Sequence, residues 1–200
     1  MTDLVIIQRP AAPDISSDVQ KSSGWWGMLL TIATEAAIFA YLLFSYYYVA
    51  IEAHATWPTH APSLKLALPN TFVLLLSSVT FWWAERQFAT GRRFAARNWL
   101  LLTAALGLAF AIVQLLEWHS KTFSISSNPY GSLYFTITGF HFAHVAVGLL
   151  MTITLAGWLT LGLLGDRRNP AISIGAIYWH FVDAVWLAVF FTFYLTPYLS

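Results

Sequence analysis

Between Lys121 and Asp166 the chain carries no charged residue, and from Leu133 to Leu164 it is apolar apart from two histidines. A bilayer core about 30 Å thick is crossed by roughly 20 apolar residues in a helix, and this run is long enough to do so. Four more segments qualify: Trp25 to Ile51, interrupted only by Glu35; Ala67 to Ala84; Asn98 to Leu116; and Ile172 to about Tyr198, which contains His180 and Asp183. The runs are too long for membrane strands and lack their strict alternation. The predicted fold class is therefore all-α, an integral membrane bundle of five transmembrane helices. The spans are expected at about 25–51, 67–84, 98–118, 133–164 and 172–198.

Composition agrees. Hydrophobic residues make up 58% of the 200 and charged residues 10%, against about 45–50% and about 25% in ordinary soluble domains. Such a chain cannot wet the surface of a soluble fold, so disorder and nucleic-acid binding are excluded as readings. The absence of cysteine removes thiolate-held iron–sulfur clusters, paired-Cys copper sites, Cys-type zinc sites and covalent c-type haem. Residues 1–24, with Pro10, Pro13 and several Ser and Asp, read as a polar tail ahead of a membrane domain over 25–200. They lack the apolar core of a signal peptide. No internal repeat of the transporter kind is visible.

The basic residues orient the bundle. With five spans, Arg9, Lys21, Arg86, Arg92, Arg93, Arg97, Arg167 and Arg168 share one side, leaving Lys65 and Lys121 on the other. That bias predicts a cytoplasmic N-terminus and an outer C-terminus. The Arg92-Arg93 run is read as topology and headgroup contact.

An ionisable group at membrane depth is expensive unless paired or neutralised. Glu35 lies ten residues past Trp25, about 15 Å of helix rise and near the midplane. Asp183 and His144 reach about the same level. His141 precedes His144 by three residues and His180 precedes Asp183 by three, a spacing that sets each pair on one helix face. Glu117 closes the third span, with Gln114 one turn deeper. Two readings stay open for these groups: a metal or haem ligand set, or polar pairs that satisfy one another between helices. The repeated Glu-x-x-His of a di-iron bundle is incomplete. Glu35 has only Ala33, Ala36, Ala37 and Ile38 beside it, and a carboxyl without a partner in hydrocarbon holds its proton. It is read as a proton- or lipid-related acid, or as an acid hydrogen-bonded to a neighbour.

Five motifs extend the reading. Asn128-Pro129-Tyr130-Gly131-Ser132 runs into Tyr134-Phe-Thr-Ile-Thr-Gly-Phe-His-Phe-Ala-His-Val145, and Tyr178-Trp-His-Phe-Val-Asp-Ala-Val-Trp186 follows. Upstream stand Thr34-Glu35 with Phe39, Leu68-Pro69-Asn70-Thr71 with Leu75 and Ser77, and Gln114 with Glu117. Together, over about residues 25–198, they resemble subunit III of the haem-copper oxidases, in a five-helix bacterial form. Many members have seven helices, and this chain is read as lacking the first two.

The resemblance implies a non-catalytic subunit that packs on subunit I beside subunit II and holds membrane lipids. It would support stability and proton uptake during oxygen reduction in aerobic respiration. It implies no catalytic, cofactor-binding or metal residue in this chain; haems and copper would lie in the partner subunits, with cytochrome c or quinol as donor to the complex. The family's buried acid falls on Glu35, its paired histidines on His141 and His144, and its His–Asp pair on His180 and Asp183. The implied location is a bacterial inner membrane. Alternatives are a quinol-oxidase subunit III, an accessory protein of nitric oxide reductase, or, in another class, a stand-alone proton channel or transporter using Glu35, His144 and Asp183.

Overall fold

Helix starts and stops are written locally, and two of the stops show how. After α2 (Leu64–Ala89), Gly91 takes a left-handed φ of 81° while the amides of Gly91 and Arg92 bond back to Phe88 and Gln87. After α4 (Pro129–Thr160), Gly162 does the same at φ 72°, with the amides of Gly162 and Leu163 returning to Leu159 and Trp158. Both closures satisfy the terminal carbonyls through a residue without a Cβ penalty. The Asn-Pro-Tyr-Gly run opens α4. The Asn128 side chain accepts the Gly131 amide at 2.6 Å, and Pro129 sits where its missing N–H costs nothing.

The computed structural model describes residues 22–52, 57, 63–164 and 170–198. Besides α2 and α4 it contains α1 (Ser23–Glu52), α3 (Arg93–Ser120) and α5 (Ala171–Phe190), the last continued by a π-helical turn, Phe191–Leu195, and a 3-10 turn, Thr196–Tyr198. All five helices are long and apolar enough to cross a membrane. The chain is an all-helical, multi-pass membrane bundle. Residues 1–21, most of the tail, lie outside the described residues, as do Arg9, Lys21, Arg167 and Arg168.

Helix ends differ from the hydropathy estimate, and the second helix, Leu64–Ala89, outruns the expected 67–84 at both ends. The third span starts at Arg93 and not Asn98, because arginine stems lie along the helix surface while their heads reach the interface. The fourth starts at Pro129 through its cap and stops at Thr160 before the Gly162 turn. The fifth changes from α to π winding at Phe191.

Antiparallel neighbours α2, α3, α4 and α5 close a ring, α2 on α3, α3 on α4, α4 on α5 and α5 on α2, and α1 leans on α4 and α5. The ring centre is filled by the indole of Trp179, which is fully buried. A Cβ placed on Gly107 of α3 would come within 2.7 Å of it, and one on Gly148 of α4 within 2.8 Å. Its Nε1 donates to Ser77 Oγ of α2 at 3.0 Å. Two glycines and one Trp thus set the distances between α5, α3 and α4.

Candidate functional site

The antiparallel packing of α1 on α4 brings Glu35 and His144 together. His144 Nε2 lies 3.1 Å from Glu35 Oε2. The other ring nitrogen, Nδ1, is 2.7 Å from the Phe140 carbonyl one turn earlier. A carbonyl only accepts, so Nδ1 carries a hydrogen. The Nε2 contact then needs a proton of its own, given by the carboxyl to a neutral imidazole or by the imidazolium to a carboxylate. Either way one proton sits between the two groups.

Phe39 of α1 packs edge-on to the imidazole at 5.1 Å, and Tyr178 of α5 donates to the His144 carbonyl at 3.3 Å. A cavity of about 280 Å³ opens beside the pair, lined by Thr31, Glu35, Ala143, His144, Val147 and Tyr178. Glu35 keeps 29% of its side chain open and His144 15%. The sequence places Glu35 without a local partner; the structure supplies one from another helix. Nor is the acid enclosed by the chain's own core. Thr31 lies one turn before Glu35 on the same face of α1, whereas no spacing along one helix links Tyr178 to the pair, so only the fold brings that residue to the site.

His141 and His144 share a helix but not a neighbour. The three-residue step turns His141 into the ring, where it is fully buried between Phe110 and Trp186 and its Nε2 donates to the Val182 carbonyl at 3.3 Å. His180 and Asp183 also part. His180 Nδ1 is bonded to Ser78 Oγ of α2 at 2.5 Å, beside a cavity of about 290 Å³ lined by Ser78, Val79, Trp82 and His180. The expected His180–Asp183 pair is not made. Asp183 is buried and interacts with the Ser78 hydroxyl, while among the described residues neither of its carboxyl oxygens makes a hydrogen bond of regular geometry.

A second polar cluster lies at the opposite end of α3. Glu117 Oε1 accepts a short hydrogen bond from Tyr194 and one from Lys121 Nζ at 2.9 Å. Tyr134 is bonded to Tyr194 at 3.2 Å, and Gln114 is buried one turn deeper beside Tyr134. Lys121 lies over the Tyr134 ring at 5.1 Å. The two tyrosines and Lys121 hold Glu117 in place, so this acid reads as structural. Among the described residues no three His, Asp or Glu side chains gather as metal ligands.

Comparison with known proteins bears on the whole bundle. The family model for cytochrome c oxidase subunit III matches residues 14–198. The chain belongs to the cytochrome c oxidase subunit III family. Its relatives include the cytochrome c oxidase subunit 3 proteins of Ornithorhynchus anatinus and Mus musculus, each 34% identical over 177 residues, 84% of this chain and 68% of the relative. That of Latimeria chalumnae is 34% identical over 184 residues, 88% of this chain and 70% of the relative. As a member of the family, the chain is a subunit of a haem-copper oxidase and works in a complex with other oxidase subunits.

Proposed function

We propose that this chain is the non-catalytic subunit III of a cytochrome c oxidase, packed on subunit I beside subunit II, and that it sustains the stability and proton uptake of the complex during oxygen reduction. Haems and copper reside in those partners, which take electrons from cytochrome c, the donor after which the relatives are named. The distribution of Lys and Arg supports a cytoplasmic N-terminus, in a bacterial inner membrane.

The observation that carries the proton role is the Glu35–His144 contact beside its cavity. With Nδ1 committed to the Phe140 carbonyl, the pair holds one proton and is neutral overall in either arrangement. Losing that proton would leave a net negative charge at membrane depth, which is costly. The pair therefore refills from any donor that reaches it, and gives its proton up only when another follows. The groups able to take part are Glu35, His144 and the Tyr178 hydroxyl, all within reach of the cavity.

Glu35→Gln keeps the size of the side chain and a donor toward Nε2 while removing the titratable proton. The variant oxidase should assemble with normal subunit content, match wild type at acidic pH, and lose turnover or inactivate sooner as pH rises and protons become scarce. Glu35→Ala should in addition weaken the α1–α4 contact. Turnover of the Gln variant equal to wild type across the pH range would leave the acid with a structural role only. The subunit assignment itself is tested by purification: the chain should leave the membrane bound to a haem-containing partner that oxidises cytochrome c.

A further inference from the structure

Phe110, Gln114 and Glu117 follow one another on α3 at steps of four and three residues, so they share one helix face. That face looks into the ring, where all three side chains are buried. The other three helices of the ring meet it over about 10 Å of rise. Asn70 of α2 donates Nδ2 to the Phe110 carbonyl at 3.2 Å, and His141 of α4 sets its ring edge-on to Phe110 at 5.9 Å. Trp186 of α5 lies 4.9 Å from both rings. Nearer the end of α3, Tyr134 of α4 meets Gln114 and approaches Glu117 Oε1 at 3.5 Å.

The polar atoms left over along this face are mostly acceptors. Among the described residues, Asn70 Oδ1, Gln114 Oε1, Glu117 Oε2 and His141 Nδ1 are buried and make no hydrogen bond of regular geometry. The first two are amide oxygens. Glu117 meets Lys121 through Oε1 at 2.9 Å, which leaves Oε2 over. His141 Nε2 donates to the Val182 carbonyl, so in the neutral ring Nδ1 can accept and not donate.

Hydrogens for these atoms are scarce. Thr71 donates to the Ala67 carbonyl at 2.8 Å, Trp186 Nε1 to Thr71 at 3.0 Å, and Thr138 to the Tyr134 carbonyl at 2.6 Å. Gln114 Nε2 is buried and uncommitted, but its two hydrogens cannot serve acceptors on α2, α3 and α4 together. A buried acceptor left without a donor costs more than a hydrogen bond gains. A small ligand that brings hydrogens removes that cost. A cation would also suit acceptors, yet Lys121 already balances Glu117, and a further positive charge would stand alone at membrane depth. Water is neutral, donates twice, accepts from Gln114, and typically makes two to four such bonds in protein interiors.

We propose that the half of the ring ending at Glu117 holds ordered internal water, which donates to Asn70, Glu117 and His141 and exchanges hydrogen bonds with Gln114, tying α2, α3 and α4 together. The inference goes beyond the oxidase reading and is independent of the Glu35–His144 pair, which faces α1.

The test exposes the intact purified oxidase complex to short X-ray pulses and reads side-chain oxidation by mass spectrometry. Ordered internal water yields hydroxyl radicals in place, and these oxidise the rings beside it, whereas radicals from the bulk do not reach a buried ring. Tyr134, Trp186 and Trp179 are equally inaccessible, at 1%, 1% and 0% exposed, and Trp179 is packed against glycines and bonded to Ser77. Tyr134 and Trp186 should be oxidised several-fold faster than Trp179. Gln114→Leu should bring Tyr134 down toward the Trp179 rate; if that variant does not assemble, the wild-type comparison decides. A cryo-EM map of the wild-type complex should show density within hydrogen-bond distance of at least two of the four acceptors, unchanged when rubidium replaces sodium. Equal slow oxidation of the three rings, unchanged Tyr134 oxidation in the Leu variant, or acceptors with no density beside them would each overturn the proposal. Density that strengthens with rubidium would overturn it in favour of a cation.

Discussion

Trp179 shows how much of the bundle rests on single side chains. It fills the space between Gly107 and Gly148, and its ring nitrogen is bonded to Ser77. Gly148→Val would drive a side chain into the indole, so we expect a loss of about 1–3 kcal/mol in stability. Trp179→Ala would open a cavity at the ring centre and cost about 3–5 kcal/mol. Thermal unfolding of the detergent-solubilised chain measures both, and a Gly148→Val form as stable as wild type would mean that the helices separate freely at this point. The His180 environment gives a comparison of partners. Ser78→Ala removes the hydroxyl bonded to Nδ1 and should cost about 1–3 kcal/mol. Asp183→Asn leaves that bond intact and should cost less. The reverse order in the same assay would return the pairing to His180 and Asp183.

At the scale of the element, the π turn after α5 has a visible consequence. Widening the helix over Phe191–Leu195 brings Tyr194 onto Glu117 and packs Phe193 against Tyr46 and Tyr134 at 4.8 and 5.2 Å. Such turns come from one extra residue in an α-helix. Deleting Phe191 should restore regular winding and rotate Tyr194 away from Glu117, leaving the acid with Lys121 and the longer contact from Tyr134. Tyr194→Phe removes the hydroxyl with the backbone unchanged and should cost about 1–3 kcal/mol. If the deletion and the Phe variant unfold at the same temperature as wild type, the π turn is irrelevant to stability. The cap of α4 is simpler: Asn128→Ala should cost about 0.5–2 kcal/mol, read in the same way.

Across the whole molecule, burial is uneven. Of the apolar window of α1 only 6% is buried within the chain, against 50% for α5. Local opening follows contact density, so amide exchange in the isolated solubilised chain should be fastest in α1 and slowest in α5. In the assembled oxidase the α1 amides should become protected. Equal protection of α1 and α5 in the isolated chain would show that α1 is held by more than its seam with α4 and α5.

Span number, membrane residence and the family resemblance were legible in the residues because they depend on runs along the chain: hydropathy over one helix, Asn-Pro at its start, Gly at its end. The depth of Glu35, His144 and Asp183 followed from rise per residue in the same way. Their partners did not. Glu35 and His144 are 109 residues apart, and His180 takes Ser78 of the neighbouring α2 as its partner and not Asp183, three residues away. A step of three residues turns a side chain by about 60° from its neighbour's direction, enough to send His141 into the core and His144 to α1. Which helix waits in each direction depends on the spacing that Gly107, Gly148 and Trp179 impose, and that spacing exists only once all the helices have packed.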